Sequence, residues 1–425
     1  MLTPNHNSGA PVGRRPLPAS LRRPSYSVIE SCARPHPAER GIEGERMAGT
    51  SMIQRVSDTQ GRPAWLVSGH QRVRDLLADP RLSRSHPNPG HPVRLTQPGL
   101  FGGAIPDPEG ELADLHRMRK LLTPSLSARR MENLRPRVEA IVDELLDDLL
   151  RNGPPADFHS IVAVALPALV VCELLGVPTE DREDFRRWQS EGKQVSKPAV
   201  ARGGLQSLWR YLGTLIERKR WVPGDDVISD LLHAATLDPK LTDDGIAHLA
   251  AGLLFAGHAP VVAIIDRGML LLLTHPEQRE ALQRDPALAA PALEEIFRFA
   301  SPIERHRAVR RGGLTRYASV DVEVDGVTIR AGDTVMFAVQ DANEDGSVFP
   351  DPERFDITRE RNPHLSLSHG AHFCLGAPLA RVELQYLFVR VFERFPTLGL
   401  AVPLDDISPV REAVAGAVSQ LPVTW

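Results

Sequence analysis

Four things are scarce in this chain, and each scarcity removes a class of function. Cysteine occurs three times in 425 residues, as Cys32, Cys172 and Cys374, too few and too scattered for a disulfide framework. The odd count suits a reducing cytoplasm. A surplus of positive charge is also missing: 50 Lys and Arg stand against 54 Asp and Glu, a formal net charge of −4, so no global basic field invites nucleic acid. The longest apolar run, Leu249 to Ile265, is interrupted by His258 and Pro260 and closed by Asp266 and Arg267. It falls short of the roughly 18 to 20 uninterrupted residues of a spanning helix, so it reads as a core helix and argues against a membrane. Finally, the opening MLTPNHNSGAPVGRRPLPASLRRPSYS has no apolar stretch of the kind that marks a leader peptide. Rich in Pro, Arg and Ser, residues 1–34 read as a disordered extension, and Met47 offers an alternative start.

What is present describes a globular chain, 42% hydrophobic and 24% charged, long enough for a large core. Helical patterns dominate. VEAIVDELLDDLL places Val138, Ile141, Val142, Leu145, Leu146, Leu149 and Leu150 at helical spacing, with acidic residues on the other face and Gly153 as a stop. Strands are fewer. VDVEVDGVTI alternates Val320, Val322 and Val324 with acids, turns at Asp325-Gly326 and resumes at Val327 and Ile329, a tight hairpin. A second hairpin joins MIQRV and AWLV around Gly61. The expectation is a mainly α, helix-rich fold with a minor β-sheet portion, in one domain over residues 35–425.

Chemistry concentrates in LSLSHGAHFCLGAPLARVELQYLF. Cys374 lies between Gly370 and Gly376, directly before a helical pattern through Leu379, Val382 and Leu387. Amides at a helix start, together with the positive end of the helix dipole, favour thiolate over thiol, which suits a nucleophile or a metal ligand. Taken alone, the residue is equally readable as a buried structural cysteine. The pattern argues against zinc, because His372 and Cys374 would need two further ligands that no nearby pair supplies.

The segment resembles the haem-binding loop of the cytochrome P450 family, F-G-x-G-x-H-x-C-x-G, with Gly370, His372, Cys374 and Gly376 in place. Leu367 and Ser368 stand where the family has Phe and Gly. The resemblance implies haem b as cofactor, with Cys374 as the thiolate on its iron. It extends to Glu295 and Arg298 in EEIFR and Arg354 in PERF, which it implies form a buried charged triad. It also implies that Arg316 and His372 hold haem propionates. In LHRMRKLL the alignment puts Leu115 at a histidine position and Arg119 at an arginine that holds a propionate, with His116 one residue off register.

The resemblance also locates the distal, oxygen-facing helix in FAGHAP. Ala256 and Gly257 match the family's A-G-x-(D/E)-T, His258 fills the variable position, and Ala259 and Pro260 replace the acid and the alcohol that relay protons. General acid catalysis needs a donor, and neither replacement has one. His258 is a candidate substitute, although it is expected to point away from the haem. Proline kinks helices much as the family's widened turn does, so Pro260 is expected to keep the distal groove. Farther on, ERHRAVRRGG carries Arg305, Arg307, Arg310 and Arg311 in a connection longer than the family's, either a solvated loop or a cradle for an anionic substrate or partner.

Taken together, these residues imply a cytoplasmic haem-thiolate oxidoreductase of the monooxygenase type. It would act on a small organic molecule of specialised metabolism, with electrons from a ferredoxin-type partner and protons delivered with the substrate's help. Peroxide-driven oxidation and a non-catalytic haem or ligand-binding protein are the alternatives.

Overall fold

The computed structural model describes residues 52–58, 61–88, 108–192, 197–299, 314–409 and 418–425. Residues 1–34, Cys32, Met47 and the arginines Arg305, Arg307, Arg310 and Arg311 lie outside the described residues.

The chain begins with strands β1 (Ile53–Ser57) and β2 (Pro63–Val67), then α1 (His70–Leu77) and β3 (Leu82–Ser83). A helical stretch follows: α2 (Pro108–Leu122), α3 (Ala128–Asn152), the short β4 (Ala156–Asp157), α4 (Ala165–Leu175), α5 (Arg182–Gly192), α6 (Pro198–Trp221) and α7 (Val227–Ala235). Next come α8 (Asp243–Ala256), α9 (Ala259–Thr274), α10 (Pro276–Arg284) and α11 (Ala289–Arg298). Strands β5 (Leu314–Ala318), β6 (Val322–Val324), β7 (Val327–Ile329) and β8 (Thr334–Phe337) precede α12 (Val339–Asn343), α13 (Ala377–Arg394), β9 (Gly399–Leu400) and β10 (Pro422–Thr424).

Both expected hairpins form. β1 and β2 pair antiparallel with Ile53 opposite Val67, and β6 and β7 pair with Val324 opposite Val327. The turn residues Asp325 and Gly326 adopt φ of 52° and 75°, the left-handed pair that a two-residue hairpin requires. The first hairpin joins a five-stranded sheet of order β1-β2-β8-β5-β3, in which Arg316 of β5 lies opposite Val335 of β8. Helix α3 starts well before its apolar stripe, because the Ser127 side chain caps it by accepting the Arg130 amide at 3.4 Å. It ends at Gly153 as its sequence implies, but Leu150 falls off the buried stripe and is 51% exposed, because it lies one residue past Leu149 and so about 100° round the helix.

Two apolar clusters result, a large one among the helices and a smaller one between the sheet and α1. Cys172 belongs to the large cluster, fully buried, with its thiol pushed up to about 12 by burial.

The apolar run around Pro260 is two helices rather than one. Gly257 and His258 form a turn between α8 and α9, and Pro260 falls in the first turn of α9. A first-turn amide has no intrahelical partner, so proline costs little there. Together α8 and α9 are long and apolar enough to cross a membrane by length and composition, but here most of their apolar side chains join the large core cluster.

Candidate functional site

The site is built where the start of α13, the turn between α8 and α9 and the inner strands of the sheet converge. Its anchor is a buried ion pair on α11. Glu295 and Arg298 are both 0% exposed, joined bidentately at 2.7 and 2.8 Å. Every remaining guanidinium hydrogen-bonding direction is used: Arg298 Nη1 donates to the Asn343 and Pro352 carbonyls at 2.9 and 2.8 Å, and Nη2 to the Arg354 carbonyl at 3.1 Å. A buried pair is tolerable only when so completely satisfied.

The third arginine is not the one expected. Arg354 is exposed and contributes only its backbone carbonyl. Arg359 reaches Glu295 instead, Nε to Oε2 at 3.3 Å, alongside Asn362 Nδ2 at 2.9 Å. The chain turns at Asp351, where φ is 46°, and the Arg359 side chain returns to donate to the Pro350 carbonyl at 2.8 Å. The triad is therefore Glu295, Arg298 and Arg359.

From this anchor the network runs to the cysteine loop. The Asn343 side chain accepts the Leu365 amide and donates to Ser366 Oγ, each at 2.8 Å, and Ser366 Oγ donates to the Phe297 carbonyl at 2.5 Å. The loop closes on itself through the Cys374 amide and the Leu367 carbonyl at 2.8 Å. Gly370 has φ of 68°, and a Cβ there would meet the Ala78 backbone at 2.8 Å. Ser368 has φ of 64°, a left-handed conformation costing an L-residue about 1–2 kcal/mol. That geometry accounts for the family's glycine at this position.

Cys374 is open to solvent on one side and walled by protein elsewhere. Burial pushes its thiol up, opposed by the amides of Gly376 and Ala377 and by Arg119 and Arg381. The amides of the helix start thus lower the thiol as expected but offset only part of the cost of burial; a coordinated metal ion deprotonates a thiol outright.

Beside the cysteine sits a cationic cluster of Arg316, Arg84 and Arg119, with Glu111 offsetting part of its charge. Arg316 is 3% exposed and pushed down to about 9, first by burial and then by Arg84. Its Nη2 and His372 Nδ1 are buried with no hydrogen-bond partner among the described residues. His372 is pushed down to about 3 by burial and by Arg316, Arg84 and Arg119. Arg119 donates to the Phe373 carbonyl at 2.8 Å. His116 is exposed and lines an open groove of about 1050 Å³ with Arg117, Lys120 and Arg130, away from this cluster. Its helical position turns it outward, so the expected haem contact is withdrawn.

These residues fit haem on three independent counts. An accessible thiol, the only one among the described residues, with amides aimed at it suits one iron ligand. Orphaned donors on Arg316 and His372 among guanidiniums suit carboxylates such as propionates. Gly376 has φ of −81° and a Cβ there would meet no protein atom within 4 Å, so the packing of the protein does not demand glycine, whereas a flat group lying against that backbone would.

On α8 and α9, Ala256 and Pro260 are exposed one turn apart, and Ala259 is half-buried. None carries a side-chain donor. His258 is 8% exposed and its Nε2 lies 3.1 Å from the Val164 carbonyl, placing the ring on the far side against α4.

Sequence reasoning missed several residues that matter here. Glu294, beside Glu295, accepts from Arg381 Nε at 2.7 Å and pairs with His364 Nε2 at 3.0 Å, joining α11, α13 and the loop. Burial would raise its pKa, but those two partners outweigh it and hold it at about 2. The doublet EE was the only signal. Arg84 and Glu383 carried none, since one lies in a short connection and the other in an ordinary helical pattern.

A family model described as cytochrome P450 matches residues 213–406. The chain is 39% identical over 372 residues to pentalenolactone synthase of Streptomyces exfoliatus, covering 86% of this chain and 92% of that one. It is 37% identical over 382 residues to a mycinamicin IV hydroxylase/epoxidase of Micromonospora griseorubida, covering 88% and 93%. Among solved structures, cytochrome P450 MoxA of Nonomuraea recticatena superposes with a TM-score of 0.79 at 34% identity, covering 93% and 96%. PimD, a pimaricin epoxidase, superposes with a TM-score of 0.76 at 38% identity, covering 88% and 93%.

Proposed function

The chain belongs to the cytochrome P450 family, and from that premise we propose that it is a tailoring monooxygenase in which the substrate itself helps deliver protons. It is a haem-thiolate oxidoreductase of the monooxygenase type, with haem b as cofactor and a small organic molecule as substrate. Haem b bound through Cys374 supplies oxygen activation and one-electron chemistry. In this reading Arg316, His372 and Arg119 hold its propionates, and the Glu295, Arg298 and Arg359 network keeps the cysteine loop in register. Electrons come from a ferredoxin-type donor in the cytoplasm. Relatives named for hydroxylation and epoxidation of antibiotic-type molecules support a tailoring step in specialised metabolism.

The observation that carries the proton assignment is the donor-free face of Ala256 and Pro260, with His258 turned to the Val164 carbonyl. An acid within hydrogen-bond reach is worth about 10²- to 10⁴-fold in a proton-transfer step, so its function has to be supplied from elsewhere. A hydroxyl, amine or carboxyl of the substrate lying against this face provides the last hydrogen bond. Analogues lacking such a group are expected to bind yet lose electrons as peroxide. Equal coupling of electrons to product for the substrate and those analogues refutes substrate assistance.

A further inference from the structure

Arg84 stands in a bend just past the end of β3, and the register of the sheet places it. β3 and β5 run antiparallel with Leu82 opposite Ala318 and Ser83 opposite Tyr317, so the next step of the same ladder sets Arg84 opposite Arg316. Residues directly opposite across an antiparallel pair send their side chains to one face, where like charges are destabilising. Two arginines facing each other inside the protein need a reason.

The chain fixes this arrangement instead of relaxing it. Glu111, near the start of α2 and 5% exposed, accepts the Ser83 hydroxyl, the Arg84 amide at 3.0 Å and the Ser85 amide at 3.2 Å. Its carboxylate thereby pins the backbone of the bend, while offsetting only part of the charge on Arg84 and Arg316. The positive charge of Arg84 still reaches the site: it pushes down both Arg316 and His372, and a negative Cys374 in turn favours the charged form of Arg84. Within reach of the same field lie the two buried atoms with no hydrogen-bond partner among the described residues, Arg316 Nη2 and His372 Nδ1. A carboxylate is the ligand chemistry that two opposed guanidinium forks accept, since each fork matches its two oxygens.

We propose that Arg84 is a second arginine on the haem propionate that Arg316 holds, the two guanidiniums closing on one carboxylate from adjacent strands, with Glu111 as the residue that positions the bend. This deepens the reading above and rests on its haem-thiolate assignment. Two consequences follow from the charge and the geometry. The cofactor is retained from two sides of one propionate. A cation beside the haem also favours its reduced, more negative state, so Arg84 raises the reduction potential.

The test uses the protein loaded with haem b and, separately, with the dimethyl ester of haem b, which has no carboxylate. With haem b, Arg84→Gln should speed transfer to a scavenger protein about tenfold and make the reduction potential more negative, with the far-ultraviolet signal unchanged. With the ester, the same substitution should change the transfer rate less than about twofold, because the contact it removes is already gone, as in a double-mutant cycle. Arg84→Lys keeps the charge without the fork, so it should hold the potential near that of the unmodified protein while still releasing haem b faster. Equal acceleration with both cofactors, or none with haem b, overturns the proposal; if the Gln variant does not take up haem, the same comparison on the Lys variant decides it. Failure of the haem-thiolate assignment is distinguishable, because it shows in the unmodified protein as haem bound without a thiolate spectral signature. Failure of substrate assistance is read from analogues and leaves these rates untouched.

Discussion

Removing Arg359 should damage the protein far more than removing Arg354, although only Arg354 stands in the PERF motif. Arg359 has a side chain 9% exposed and contacts a Glu295 side chain that is 0% exposed. Arg359→Gln deletes a charge-assisted contact to Oε2 and a bond to the Pro350 carbonyl at 2.8 Å. Hydrogen bonds to charged groups contribute about 1.5–3 kcal/mol, and breaking a buried ion pair costs about 3–5 kcal/mol. Because Arg298, Asn362 and the Asp356 amide still hold Glu295, the lower end, about 3 kcal/mol, is expected. The Arg354 side chain is exposed, and its loss should fall within about 0.5 kcal/mol. Urea unfolding of the haem-loaded protein, followed by far-ultraviolet circular dichroism and by the haem absorption band, measures both. Equal destabilisation by the two substitutions, or a larger effect at Arg354, would refute the assignment of Arg359 to the triad.

Two further outcomes are expected. Arg316→Gln should speed transfer of haem to a scavenger protein about 10- to 100-fold, the equivalent of one lost charge-assisted hydrogen bond, with little change in far-ultraviolet signal; an unchanged transfer rate would remove Arg316 from the propionate site. Acid should weaken the fold through Glu294, whose folded pKa of about 2 lies below its ordinary 4.5: the depressed acid contributes stability that is full above about pH 4.5 and drains away toward pH 2, about 3 kcal/mol in all. Glu294→Gln should flatten that part of the pH–stability curve.

Much of the site was legible because it is local. The cysteine loop, its glycines and the helix that follows form one continuous stretch, and the two hairpins announce themselves by alternation and by Asp325-Gly326. Pro260 signalled a break, and its first-turn position in α9 then explained why the break is cheap. Contacts between distant segments were not legible. PERF pointed to Arg354 by pattern, but the choice between Arg354 and Arg359 depends on how the chain turns at Asp351, which no motif encodes. His116 and Arg119 share one helix, and only the packing of α2 decides which of them faces the loop. Glu383 stands in an ordinary helical pattern, and only its packing against neighbouring helices buries it.

The break between α8 and α9 also bears on how ligands are discriminated. Pro260 locks its own φ, so the break between the two helices is covalently fixed before anything binds. A ligand arriving there spends none of its binding free energy on unwinding a helix, and the conformational entropy of the break has already been surrendered during folding. If ligands bind against this turn as proposed, differences in their affinity report contacts made with its walls rather than unequal costs of unwinding a helix.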